Sequence, residues 1–393
     1  MAALFLVERD PRDTNLGLFL YGSERYPAGE ERSETLFFQE GPTSNVLVLR
    51  EEHPGTPSTV TLRVNGKIDG SDITDMPTQL ASGYLPLALR PASERVLIIG
   101  FGTGTTAGAC LGFPEVRVDC CEIEPGILAA SPWFHHVNRA PEESERYRTI
   151  LDDGRNYVRG TDATYDLVIS EPSNPWIAGT ANLFTREFFE AVEGRLASDG
   201  MLLQWLQSYA LSRDEYALVL ATLRSVFAHT AVARIGSGDT LLMASNQPIV
   251  PSREIIERAE ARFAASAQAS GDLRQTFGVE DVRAFLLAHL FLDDAAMERM
   301  VQRAGVRGLH TDDNLRLEFD SPGYLFRQGE IRREIQFEID LALYGRLIQG
   351  WGWSEPQGEA LLGWSRTYQE LGVAQAAQAF RDLASSLQGS SGR

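Results

Sequence analysis

The sequence predicts an α/β protein in three parts: a small N-terminal β-hairpin domain over 1–90, a doubly wound, mostly parallel sheet over 91–248, and an α-helical extension over 249–393. Three observations predict it. Period-2 alternation from Thr59 to Val64 runs into Asn65-Gly66, a hairpin signature. From Glu94 onward, apolar strand-like runs alternate with helical stretches, the pattern of a sheet covered on both faces. After Pro251, apolar residues recur at spacings of three and four, the helix period.

In chain order, TLFFQEGPTSNVLVLREE and TVTLRVNGKIDG give short strands on either side of a break from His53 to Ser58. The sheet then follows as RVLIIG, a helix from about Thr105, VRVDCCEI, a second helix, YRTILDD, YDLVIS, the helix TREFFEAVEGRL, GMLLQWL, a helix to about Phe227, and DTLLMAS. SREIIERAEARFAASAQ, VEDVRAFLLAHLFL, AAMERMVQRAG, IRREIQFEIDLALYGRLIQG and AQAAQAFRDLASSL are all predicted helical, and the tail SSLQGSSGR is predicted disordered. GEALLGWSRTYQELGVAQAAQAF has the form of one helical-hairpin repeat, and one copy does not build a solenoid.

The chain has 393 residues, 43% hydrophobic and 23% charged, enough for more than one core. Its formal net charge is -18 and Lys67 is its only lysine, which argues against a nucleic-acid partner because phosphate binding needs a basic face. An acidic cleft concentrates small cations, while on composition alone solubility is the favoured reason for such a charge. No apolar run reaches the roughly 18 residues of a membrane span, and MAALFLVERD turns acidic too early for a signal peptide. A cytoplasmic, free-standing protein is the expectation. Cys110, Cys120 and Cys121 sit in apolar segments and read as buried thiols.

The strand VLIIG is followed by Gly100, Gly102 and Gly104, a turn that lets backbone approach a ligand at the start of a helix. Glu122 and Ile123 close the second strand, where a carboxylate can accept from both ribose hydroxyls. Asp153-Gly154 ends the third and Ser170-Glu171 the fourth. Polar strand ends along one carboxyl edge mark the ligand side of a Rossmann-like sheet. The GxGxG spacing, with further carboxylates on strands three and four, suits an adenosylmethionine-type ligand better than its closest rival, a dinucleotide.

On these residues the chain resembles the spermidine synthase (polyamine aminopropyltransferase) family, in the branch often fused to a membrane-transporter-like segment. The resemblance runs from about Thr35 to Asn246. It rests on VNGKID, on Gln79 six residues before Leu85-Pro86-Leu87, on the glycine loop, on Glu122 and Asp153-Gly154, and on SEPSNPWIAGTANLFTREFF. It implies a methyltransferase-like fold, transfer of an aminopropyl group from decarboxylated S-adenosylmethionine to a primary amine, no metal, and a homodimer. Glu171 stands where the family's catalytic aspartate does, and Gln79 would orient the aminopropyl arm. On the donor side the family pattern also covers Thr103, Gly104 and Ser170.

Three departures bear on the substrate. Thr103 replaces the family's aspartate for the donor's amine, Thr78 its amine-binding tyrosine, and Asn174 the second acid of the catalytic loop. Fewer carboxylates are expected to suit a dicationic amine less. Asp69, Asp72 and Asp75 either restore negative charge at the mouth or form a solvated acidic turn. Methyl transfer from S-adenosylmethionine to a small nucleophile, and a non-catalytic nucleotide-binding module, stand as alternatives. Trp176 and Trp205 are divided between walling the pocket and packing, and His135-His136 reads as a surface pair. HTDDNLRLEF resembles a Thr-Asp-Asp segment of the fused branch; helix capping is favoured over folding back across the site.

Overall fold

The computed structural model describes residues 32–324, apart from 53, 54, 237, 250 and 293, with a few isolated positions further on. MAALFLVERD, the helices expected over 331–350 and 374–387, the hairpin repeat over 358–380 and the tail lie outside that continuous stretch.

Strands β1 (Arg32–Glu40), β2 (Asn45–Glu52), β3 (Thr59–Val64) and β4 (Lys67–Ser71) form an antiparallel sheet in chain order. The turn between β3 and β4 takes positive φ at both Asn65 (48°) and Gly66 (84°), which is why this dipeptide serves there. Eight further strands make the central sheet: β5 (Arg95–Ile99), β6 (Arg117–Glu122), β7 (Tyr147–Leu151), β8 (Tyr165–Ser170), β9 (Leu196–Gln207), β10 (His229–Ile235), β11 (Asp239–Ser245) and β12 (Leu290–Leu292). Their order is β12-β10-β11-β9-β8-β5-β6-β7, parallel from β9 to β7 and antiparallel from β9 to β12. The chain enters at β5, winds outward through β6 and β7, then returns to β8 on the other side. The crevice between β5 and β8 is therefore the topological switch point.

Two strands depart from the sequence reading. HTAVARI forms β10, in the stretch between the helix expected to end near Phe227 and DTLLMAS, to which the sequence reading assigns no element. Leu290–Leu292, expected to be helical, forms β12 and pairs with β10. Without it β10 would be a bare edge, and pairing overrides the local helix period. The helix expected over TREFFEAVEGRL also stops at Glu193, and the chain enters β9 at Leu196.

The helices cover both faces. On one lie α1 (Met76–Leu89) and α2 (Thr105–Leu111), whose Leu85, Cys110 and neighbours share a core with Ile98, Ile169 and Leu203. Helices α3 (Pro125–Ala130) and α4 (Gly154–Gly160) follow β6 and β7. On the opposite face α5 (Arg186–Glu193) and α6 (Arg213–Arg224) supply Phe188, Phe189, Tyr216 and Leu223 against Leu97, Val168 and Leu202. The later helices divide between the two. Helices α7 (Arg253–Ala265), α8 (Ala267–Phe277) and α9 (Val282–His289) put Phe263, Leu273 and Phe285 into the first core, and α10 (Asp294–Ala304) puts Met297 into the second. Tyr84 of α1 donates to Asp272 of α8 at 2.5 Å.

One buried carboxylate ties the two sheets together. Glu124, 1% exposed at the start of α3, accepts from Thr43 N (3.0 Å), Thr43 Oγ1 (2.7 Å), Ser44 N (2.9 Å) and Gly126 N (3.0 Å). Burial pushes its carboxyl up, but these hydrogen bonds outweigh burial and hold it below its ordinary value. The stability it contributes is present above the unfolded value of 4.5 and is lost as pH falls through the lower folded one. Glu124→Ala leaves three backbone amides without their acceptor, so urea unfolding is expected to register a loss of about 2–4 kcal/mol at pH 7, narrowing toward pH 3. An unchanged midpoint would show that the clamp is dispensable.

Candidate functional site

A cavity of about 1060 Å³ opens at the carboxyl ends of β5, β6 and β8, roofed by β3, β4 and α1. Gly100, Gly102, Glu122, Ile123, Asp153, Gly154 and Glu171 line it, as do Asp69, Thr78 and Gln79 from the N-terminal side. Thr103, Gly104, Ser170 and Asn174 stand behind that wall: Thr103 is 2% exposed, and Ser170 and Asn174 are fully buried. Asn174 Nδ2 reaches Tyr209 Oη at 3.5 Å.

The glycines allow a close approach. Gly100 has φ 94°, and a Cβ there would stand 2.6 Å from the Glu171 carbonyl oxygen, while Glu171 N donates to Ile99 O at 2.9 Å. Gly102 has φ 55° and open space before it. A Cβ at Gly154 would meet Ile99 Cγ2 at 2.4 Å, so glycine sets how near α4 comes to β5. Asp153 caps α4, accepting from Asn156 N at 3.0 Å. Glu122 accepts from Phe101 N and Glu124 N, each at 2.9 Å; burial raises its carboxyl above the ordinary range even against those bonds. Gln79 is fixed from three sides. Thr103 Oγ1 donates to its Oε1, its Nε2 donates to Ser71 O at 3.3 Å, and its carbonyl accepts from Thr106 Oγ1 at 2.9 Å.

The other half of the cavity is acidic. Burial lifts the Glu171 carboxyl to about 7; the Thr106 and Ser82 hydroxyls favour its ionised form, and Asp239 opposes it. Asp239, the first residue of β11, lies on the same sheet edge because β11 runs antiparallel to β9. Burial lifts it to about 6, while Thr78 Oγ1 donates to it at 2.7 Å and Asp75 repels it. Asp75 is itself raised by burial. Asp69 accepts from Lys67 Nζ and from Ser173 Oγ at 2.8 Å. The expectation of a carboxylate-poor pocket is thus corrected. Asp69 and Asp75 belong to the cavity wall and not to a solvated turn, and Asp239 adds an acid from 161 residues beyond Thr78. Eight carboxylates line the cavity against Lys67 and Arg155, a balance that favours a cationic ligand.

Sequence reasoning passed over Asp239, Glu124 and the role of Lys67. The only linear signal for Asp239 is its place after a GSG turn, meaningful once the hairpin is known to end at the ligand edge. Asp72 accepts from Val60 N at 2.8 Å and pairs with His136 at 2.9 Å, and His135 pairs with Glu142 at 2.8 Å. Trp176 and Trp205 both line the cavity. The Thr-Asp-Asp segment folds back over the site, contrary to the capping expectation. Asp312 lines the cavity and pairs with Arg155, His310 Nε2 meets Ala181 O at 3.0 Å, and Gly179 N donates to Glu318 Oε2 at 3.1 Å.

Fold and cleft define a doubly wound α/β domain carrying an N-terminal antiparallel sheet and a ligand cavity at the switch point. Residues 80–235 match the family model described as the spermine/spermidine synthase domain. The chain is 31% identical over 168 residues to putrescine N-methyltransferase 2 of Nicotiana attenuata, covering 42% of this chain and 45% of that protein. It is 26% identical over 202 residues to spermidine synthase of Dictyostelium discoideum, covering 50% and 69%. The chain thus spans less than half the length of the first of these relatives. A crystal structure of spermidine synthase in complex with the transition state analogue AdoDATO shares the fold at a TM-score of 0.51 and 19% identity, over 59% of this chain and 79% of that one.

A buried carboxyl raised to about 7 makes the folded state bind more protons than the unfolded one, so Glu171 lowers stability as pH rises from 4.5 through about 7. Glu171→Gln is expected to raise the melting temperature at pH 8, by the equivalent of about 1–3 kcal/mol after discounting for the opening to the cavity, and to leave it unchanged at pH 4. A variant less stable at pH 8 would contradict this environment for Glu171.

Proposed function

We propose that the protein is a transferase that moves an aminopropyl group from decarboxylated S-adenosylmethionine to a small, putrescine-like primary amine, releasing methylthioadenosine. The observation that carries this reading is the division of one cavity into a nucleotide half, with Gly100, Gly102, Glu122 and Asp153, and an acidic half headed by Glu171. The donor half suits such a ligand: the Gly102 backbone borders open space, and the Glu122 and Asp153 carboxyls line the cavity at the strand ends, where they would serve as acceptors for ribose and adenine groups. Relatives named spermidine synthase support the reaction class.

An amine with a pKa near 10 is mostly protonated at neutral pH. Glu171 takes that proton and holds the nitrogen in line. The nitrogen attacks the methylene carbon beside the sulfonium, the carbon–sulfur bond breaks, and sulfur keeps the electron pair as a neutral thioether. Gln79, immobilised by Thr103 and Ser71, borders the path of the transferred arm. Exclusion of bulk water strengthens the charge interactions that steady the reacting atoms.

A second reading, methyl transfer from S-adenosylmethionine to the same amine, is favoured by Thr103 in place of the family's aspartate and by the relatives named putrescine N-methyltransferase. Mass spectrometry after incubation with putrescine and each donor separates the two: a product one aminopropyl unit heavier supports the first, one methyl heavier the second, and neither refutes both. Glu171→Gln is expected to lower kcat about 10²–10⁴-fold with methylthioadenosine affinity retained. Because burial raises the Glu171 carboxyl to about 7 and the Asp239 carboxyl to about 6, kcat/KM for the amine should rise with pH across an acid limb in that range. A flat profile there would remove the general base from the mechanism.

A further inference from the structure

We propose that Asp239 selects the acceptor: its carboxylate, anchored by Thr78 and facing Gln207 across the β9–β11 ladder, receives the second cationic group of a diamine whose reacting nitrogen lies at Glu171. The proposal rests on the reading of Glu171 as the amine-side residue. Neither the family resemblance nor the family's landmark residues assign a role to this position.

Strand geometry fixes the placement. In the β9–β11 ladder Asp239 stands opposite Gln207, and Leu241 opposite Trp205. Paired residues in an antiparallel ladder point to the same face, so all four side chains turn toward α1. Trp205 and Asp239 line the cavity, and Thr78 of α1 closes on Asp239 from above at 2.7 Å. The carboxylate therefore lies in the same cavity as Glu171, held by the Thr78 hydroxyl and the Trp205 indole N–H, with the Lys67 charge favouring its ionised form. Lys67, the chain's one lysine, gives its ion pair to Asp69.

Gln207 supplies the independent observation. Its side chain is 0% exposed, yet neither amide atom has a hydrogen-bond partner among the described residues. This amide, with both ends open, stands across the ladder from the half-buried Asp239 carboxylate, behind the cavity wall, and leaves that end of the sheet with unused polar capacity. An ammonium group fits the cavity side of Asp239: its N–H donors reach the carboxylate, and its charge offsets the repulsion among Asp239, Asp75 and Glu171. A merely structural Asp239, present to anchor Thr78, would not distinguish amines that differ only in their far end.

That difference is the test. Calorimetric titration, with methylthioadenosine present, compares putrescine with n-butylamine, which has the same four-carbon chain and one ammonium fewer. The wild-type protein is expected to bind putrescine about 10- to 100-fold more tightly. Asp239→Asn, close in shape, should reduce putrescine affinity by about that factor while leaving butylamine and methylthioadenosine within about twofold. Asp75→Asn should act in the same direction and less strongly. Equal losses for both amines, unchanged putrescine affinity, or a wild-type protein that does not prefer the diamine would each overturn the assignment. Retained methylthioadenosine affinity shows that the variant is folded, and should the asparagine variant not fold, Asp75→Asn carries the same comparison. A diamine preference lost in Asp239→Asn, with no transfer product from the wild type, would uphold the Asp239 site and reject the transferase reading.

Discussion

The cavity depends on how closely the turn after β5 approaches the end of β8. A backbone carbonyl at Glu171 occupies the space that any side chain at Gly100 would need. Only glycine, at φ 94°, lets the two strand ends share a hydrogen bond from Glu171 N to Ile99 O and still leave an opening above them. With that contact set, β5 delivers the loop carrying Gly102 and β8 delivers Glu171 to the same floor. Gly154 extends the effect, since its missing side chain lets α4 approach Ile99 from the other side. The donor half and the acidic half are one space because these backbones nearly touch.

The acidic half is kept at a cost to the apo protein. Burial disfavours the ionised forms of Glu171, Asp75 and Asp239, and each acid makes ionisation of its neighbour harder. A core selected for stability alone would not hold such a group. Glu124 illustrates the opposite use of the same chemistry: four hydrogen bonds make its charge favourable, and it secures the N-terminal hairpin over the cavity. Two glutamates, one buried and one half-buried at the cavity, thus act with opposite sign, one as a fastener and one poised for a ligand.

Much of this was legible in the sequence wherever the signal was local. Strand alternation, the Asn65-Gly66 turn and the glycine loop are governed by neighbours within a few residues, and their positions agree closely with the structure. Pairing that depends on distant partners was not legible. HTAVARI has no strong period of its own until β11 and β12 flank it, and three residues at Leu290 become a strand only because β10 offers an edge. Asp239 escaped notice for the same reason. Its meaning comes from Thr78 and Gln207, brought to it by a helix and a strand far away in sequence. The acidic segment Asp69 to Asp75 resembled a solvated turn because composition does not report that α1 folds it inward.

Lys67 carries a consequence of a different kind. It is the sole lysine of the chain, 8% exposed, on the wall of the cavity and paired with Asp69. An amine-directed label therefore finds one ε-amino group in the whole protein, and it must enter the cavity to react. Apart from the α-amine, the extent of such labelling reads out occupancy of that space, so the molecule contains its own chemical footprinting site.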